Sequence, residues 1–106
     1  MPLLGEALPE FARELEGLLQ EDGRPELAAQ VPGLPVLDRC RCGQSYCALF
    51  DTVPGGARVT GEGPPETVKF ETRPGTLILD VRGGRIRCIE ALDRADVRDR
   101  LRAVLP

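Results

Sequence analysis

Gly83-Gly84 stands between two runs of β-forming residues, Thr76 to Arg82 and Arg85 to Leu92. A Gly pair between such runs supplies the positive φ angles of a two-residue hairpin turn, so an antiparallel pair is the least negotiable element of the fold. Just upstream, Thr67 to Thr72 alternates Val68 and Phe70 with Lys69 and Glu71, the pattern of a half-buried strand. If Arg82 pairs with Arg85, Val81 faces Ile86, Leu79 faces Cys88, Asp80 faces Arg87 and Ile78 faces Ile89. That register sets Glu90 on the apolar face near Leu77.

Two further strands are expected at Val36 to Cys42 and Tyr46 to Val53, joined at Gly43. Pro54 to Pro65 is rich in Gly and Pro and reads as a mobile loop. Helices flank the strands. Leu8, Phe11, Ala12, Leu15, Leu18 and Leu19 recur at the spacing of one helical face, predicting a helix over Pro9 to Glu21, with Pro9 at its first position and Gly23 closing it. Pro25 opens a short helix through Val31 that Pro32-Gly33 ends. Asp93 is placed to cap a last helix, with Leu92 and Val97 as a hydrophobic staple and Val97, Leu101, Val104 and Leu105 as the buried stripe. The expected fold is α+β: an antiparallel β-sheet of about five strands covered on one face by the N-terminal and C-terminal helices. Residues 1–106 are expected to form a single domain, helical over 1–33, sheet over 34–92 with its loop at 54–65, and helical again over 93–106.

Composition narrows function mainly by exclusion. The chain has a formal net charge of -3 and only 4% aromatic residues, which argues against phosphate binding and base stacking, so no nucleic acid partner is expected. No stretch approaches the length of a membrane span, and the N-terminus lacks the order of a signal peptide, so a cytoplasmic protein without a membrane partner is expected. Acidic residues crowd the N-terminal part and arginines the C-terminal part, an asymmetry that reads first as two solvated faces and otherwise as attraction within one chain or between chains, so self-association or an unknown protein partner is the expected form of any interaction. There is no His, which excludes Ser-His and Cys-His nucleophilic systems and His-ligated metals. No phosphate-binding glycine loop is present. An enzyme is therefore not the expected outcome.

What remains is a cysteine knuckle, Cys40-Arg41-Cys42-Gly43-Gln44-Ser45-Tyr46-Cys47. In a reducing compartment clustered thiols point first to metal ligation, redox chemistry or plain burial. A four-thiolate zinc site would draw Cys40, Cys42 and Cys47 from the knuckle and Cys88 from the hairpin, although Cys88 also has a sufficient role as a small apolar core residue opposite Leu79. The competing use is a thiol-based redox protein or sensor on Cys40, Cys42 and Cys47, with Arg39 and Arg41 favouring a thiolate at Cys40. A nonenzymatic binding or interaction module with a knuckle that takes zinc is the leading expectation.

Cys40-Arg41-Cys42-Gly43, then Cys47-Ala48-x-Phe50, and finally Gly84-Arg85-Ile86-x-x-Ile89-Glu90-x-Leu92-x-x-x-Asp96-Val97-Arg98 resemble a group of small uncharacterised bacterial proteins with a Cys-x-Cys-Gly corner. The resemblance covers roughly the C-terminal two thirds and implies no activity. Gln44-Ser45-Tyr46 departs from the acidic corner of that group, and Cys88 has no counterpart in it.

Overall fold

A computed structural model describes residues 2–55 and 63–106. Of the expected loop at 54–65, residues 56–62 lie outside the described part. The element order is α1 (Leu4–Ala7), α2 (Pro9–Glu21), α3 (Pro25–Gln30) with a 3-10 turn at Val31–Gly33, β1 (Asp38–Arg39), β2 (Cys47–Asp51), β3 (Pro65–Glu71), β4 (Thr76–Arg82), β5 (Arg85–Leu92) and α4 (Ala95–Val104). The strands form one antiparallel sheet in the order β1-β2-β5-β4-β3, and the α+β class follows as expected. None of the described helices is long and apolar enough to cross a membrane.

The hairpin forms at Gly83-Gly84, with φ angles of 59° and 77°, and Arg82 pairs with Arg85. Gln30 of α3 holds the turn: its amide donates to Gly84 O at 2.6 Å, and its oxygen accepts from the Ile86 N–H at 3.1 Å. Beyond Val81 and Ile86 the expected register fails. A β-bulge between Asp80 and Val81 leaves Arg87 as the extra residue, so Asp80 pairs with Cys88, Leu79 with Ile89, Ile78 with Glu90 and Leu77 with Ala91. The physical reason is parity. Ile86 and Ile89 are three residues apart, an odd spacing that sends them to opposite faces of a regular strand, and one unpaired residue between them returns both to the core. Cys88 therefore does not face Leu79, and Glu90 is not on the core face; it is half-exposed in a row with Ile78 and Leu49.

The core lies between the sheet and the helices. Leu77, Leu79 and Val81 alternate with half-exposed neighbours along β4, and Ala48 and Phe50 do so along β2. Against them pack Phe11, Ala12, Leu15 and Leu19 of α2 together with Val97 and Leu101 of α4. Phe11 and Phe50 meet edge to face, 6.5 Å between ring centroids at 72°. Each of these large side chains contributes roughly 1.5–3 kcal/mol by leaving water.

Other departures have local causes. The strand expected over Val36 to Cys42 shrinks to Asp38–Arg39, because the preceding backbone bonds to the N-terminal segment instead: Leu4 N–H donates to Leu34 O at 2.7 Å and Val36 N–H to Pro2 O at 2.9 Å. The helix α1 was not anticipated; four residues are too few to display a period. Asp93 does not cap α4. It adopts φ 56°, Arg94 takes the cap position, and Asp96 pairs with Arg94. Arg94, only 7% exposed, also clasps Glu14 of α2 through contacts of 2.6 Å and 3.0 Å, an attraction between the acidic and basic ends of the chain.

Candidate metal centre

The knuckle is the connection between β1 and β2, and its sulfur atoms are brought together by the antiparallel pairing of these two strands together with their close sequence spacing. Cys40 continues the β1 ladder, donating its N–H to Leu49 O at 2.8 Å, and Cys47 opens β2 opposite Leu92. Between them the chain reverses, with Cys47 N–H donating to Gln44 O at 3.3 Å. The consequence is that the Sγ atoms of Cys40, Cys42 and Cys47 all lie within 4.8 Å of one another. Tetrahedral zinc with Zn–S bonds of about 2.3 Å places its sulfurs about 3.8 Å apart, so side-chain rotation suffices to close this group on an ion.

The three thiols are not equivalent. Cys42 is exposed, and its thiol is held below the ordinary range by the Gln44 backbone N–H first and by the Cys40 thiol second. Cys47 is half-buried; burial, then its hydrogen bonds to Cys42 and Cys40, push its thiol up to about 12. Negative charge taken up by the group is therefore centred on Cys42, with neighbouring thiols donating to it.

Four arginines frame this corner. Arg98 Nη1 of α4 donates to Ser45 O at 2.7 Å and Arg102 Nη2 to Gln44 O at 3.3 Å, so helix α4 grips the turn by its carbonyls. In return Arg39 donates to Leu105 O and to Cys40 O, and Arg41 donates to Pro106 O at 3.1 Å. Asp93 N–H, donating to Tyr46 O at 3.0 Å, completes the junction. Arg39 and Arg41 were expected from sequence. Arg98 and Arg102 were visible there only as members of the arginine-rich C-terminal part, because their role depends on how α4 crosses β2.

Cys88 stands apart from the group. It is buried on β5 in a row with Asp51 and Asp80, and burial followed by the charges of Asp51 and Asp80 pushes its thiol up to about 12. Its partner Asp51 stands two positions from Leu49, where Cys40 joins the ladder, and four from Cys47, roughly 7 Å and 13 Å along an extended strand, and Cys88 stays outside the group of close sulfurs. Of the expected ligand set, three residues converge and the fourth does not. The chain matches no protein-family model, no curated protein and no solved structure.

Proposed function

We propose that the protein is a single-domain, nonenzymatic binding module in which Cys40, Cys42 and Cys47 hold one zinc ion, stapling the β1–β2 corner beneath α4. The observation that carries this reading is the mutual approach of the three sulfurs within 4.8 Å. Thiolates are ligands of choice for zinc, and the Gln44 N–H and the Cys40 thiol favour at Cys42 the deprotonated form that metal binding requires. A reducing cytoplasm, where thiols stay available to a metal, is the compartment this reading calls for.

Protein purified without chelator, with phosphine as the only reductant, is expected to contain one zinc per chain by atomic emission. Removing the metal from protein held at free zinc a hundred times its Kd should withdraw about 2.7 kcal/mol of stability. Metal-free protein with an unchanged melting temperature refutes the reading. A second reading, a thiol redox module, is favoured by one feature: Cys42 is exposed with two further sulfurs in reach. It predicts a disulfide within the knuckle after mild peroxide treatment, detected by mass spectrometry of non-reduced peptides.

A further inference from the structure

Zinc prefers four ligands in tetrahedral array, and a site with three protein ligands keeps one position for something else. The knuckle supplies three. Among the described residues no carboxylate and no further thiol joins the group. The chain contains no His, and Cys88 lies on another row of the sheet. The cluster also faces outward, for Cys42 is exposed and the neighbouring Tyr46 side chain is 51% exposed, a large apolar surface beside the sulfurs.

We propose that the metal held by Cys40, Cys42 and Cys47 takes an external thiol as its fourth ligand and holds it as a thiolate. This rests on the zinc reading above. Two observations select a thiol over other donors. Three thiolates make the centre soft, and soft ions prefer further sulfur. Charge points the same way. Zinc with three thiolates carries one negative charge, and a fourth thiolate makes it two. Of the four framing arginines, Arg41 is paired with Asp38 at 3.6 Å and Arg98 with Asp99 at 2.9 Å. Arg39 and Arg102 reach only main-chain oxygens and, among the described residues, form no salt bridge. Two uncompensated cations thus border a centre that gains a second negative charge when an anionic fourth ligand arrives, and among anions the soft centre favours a thiolate.

The binding step balances without an electron changing hands. The incoming thiol gives its proton to solvent, its sulfur forms a bond to the metal, and a water leaves that position. The thiol is either a small free molecule or a cysteine of another protein, and the same chemistry serves both.

Cobalt(II) substitution reads the coordination directly, because its visible ligand-field bands shift when sulfur replaces oxygen. Full-length protein loaded with cobalt in phosphine reductant is titrated with 2-mercaptoethanol, and separately with a short blocked peptide containing one Cys; the same peptide with Ser in its place is the control. The expected result is a band shift that saturates at one thiol per cobalt with release of one proton, and none with the Ser peptide. Saturation by 2-mercaptoethanol but not the peptide assigns the position to free thiols, and the reverse assigns it to a partner's cysteine. Arg102→Gln, titrated at full cobalt loading, is expected to bind the thiol about tenfold more weakly. Cobalt that binds with bands unmoved by either thiol overturns this inference and leaves the zinc reading standing. Failure to bind cobalt or zinc at all overturns both. A four-sulfur spectrum before any addition, lost in Cys88→Ser, overturns it too, by showing that the fourth ligand is internal.

Discussion

Replacing Arg94 by Met tests how much of the fold depends on one nearly buried cation. The side chain is 7% exposed and makes contacts of 2.6 Å and 3.0 Å to Glu14, 3.1 Å and 3.0 Å to Asp96, and 3.4 Å to the Thr72 hydroxyl. Met retains the apolar stem, so the loss is confined to the guanidinium. Breaking a buried ion pair costs about 3–5 kcal/mol when the stranded partner stays buried. Here it does not: the Glu14 side chain is 34% exposed and that of Asp96 is 64% exposed, so both carboxylates regain water. Screening reduces the expected cost to about 2 kcal/mol at neutral pH, or a fall in Tm of about 10 °C for a domain of this size. Urea unfolding followed by far-UV circular dichroism, with an unchanged m-value, is the assay. The cycle with Glu14→Gln separates the pair from each side chain, and a coupling of about 1 kcal/mol is expected. A loss below about 0.5 kcal/mol for Arg94→Met, typical of an ordinary surface pair, refutes the reasoning.

The same cluster gives the protein an acid-side dependence. Arg94 holds the Asp96 carboxyl below its usual value of 3.8, so the associated stability is complete above about pH 4 and is lost as pH falls through the depressed value; Arg94→Met should remove this part of the acid slope in urea melts. Iodoacetamide at about pH 8 should label Cys42 first, while Cys47 and Cys88, both pushed up to about 12, react only in denaturant. Peptide mapping that finds Cys88 labelled alongside Cys42 contradicts the burial seen here. Zinc, finally, should protect Cys42 from that reagent, and protection that fails at saturating zinc removes Cys42 from the ligand set.

Much of this architecture is legible in the residues, for reasons that differ by element. The α2 face from Leu8 to Leu19 repeats over three turns, so its period could hardly be misread. The Gly83-Gly84 hairpin declares itself through turn chemistry. The bulge at Arg87 does not, since Ile86-Arg87-Cys88-Ile89 is compatible with either parity until the flanking pairs Val81–Ile86 and Leu79–Ile89 are both known. The knuckle was legible as three close thiols because they share one short connection. Its arginine frame was only half legible: Arg39 and Arg41 are sequence neighbours, whereas Arg98 and Arg102 arrive from a helix more than fifty residues away. Cys88 misleads for the opposite reason, since composition counts it with the other thiols while the sheet carries it elsewhere.

The extra residue at Arg87 puts a bend and added twist into β5 between the Gly83-Gly84 turn and the strand end. β5 pairs with β2 as far as Leu92 and Cys47, and the chain then turns through Asp93 into α4, whose arginines hold the knuckle. Deleting that residue would leave Ile86 and Ile89 two positions apart, both still on the core face, and the remaining pairs of β5 in register with β4 and β2. What it would remove is the local bend and the added twist that a bulge gives its strand. A residue that touches no sulfur thus helps to aim the strand end that leads into α4 and its arginines, as a shim sets the angle at which two machined faces meet.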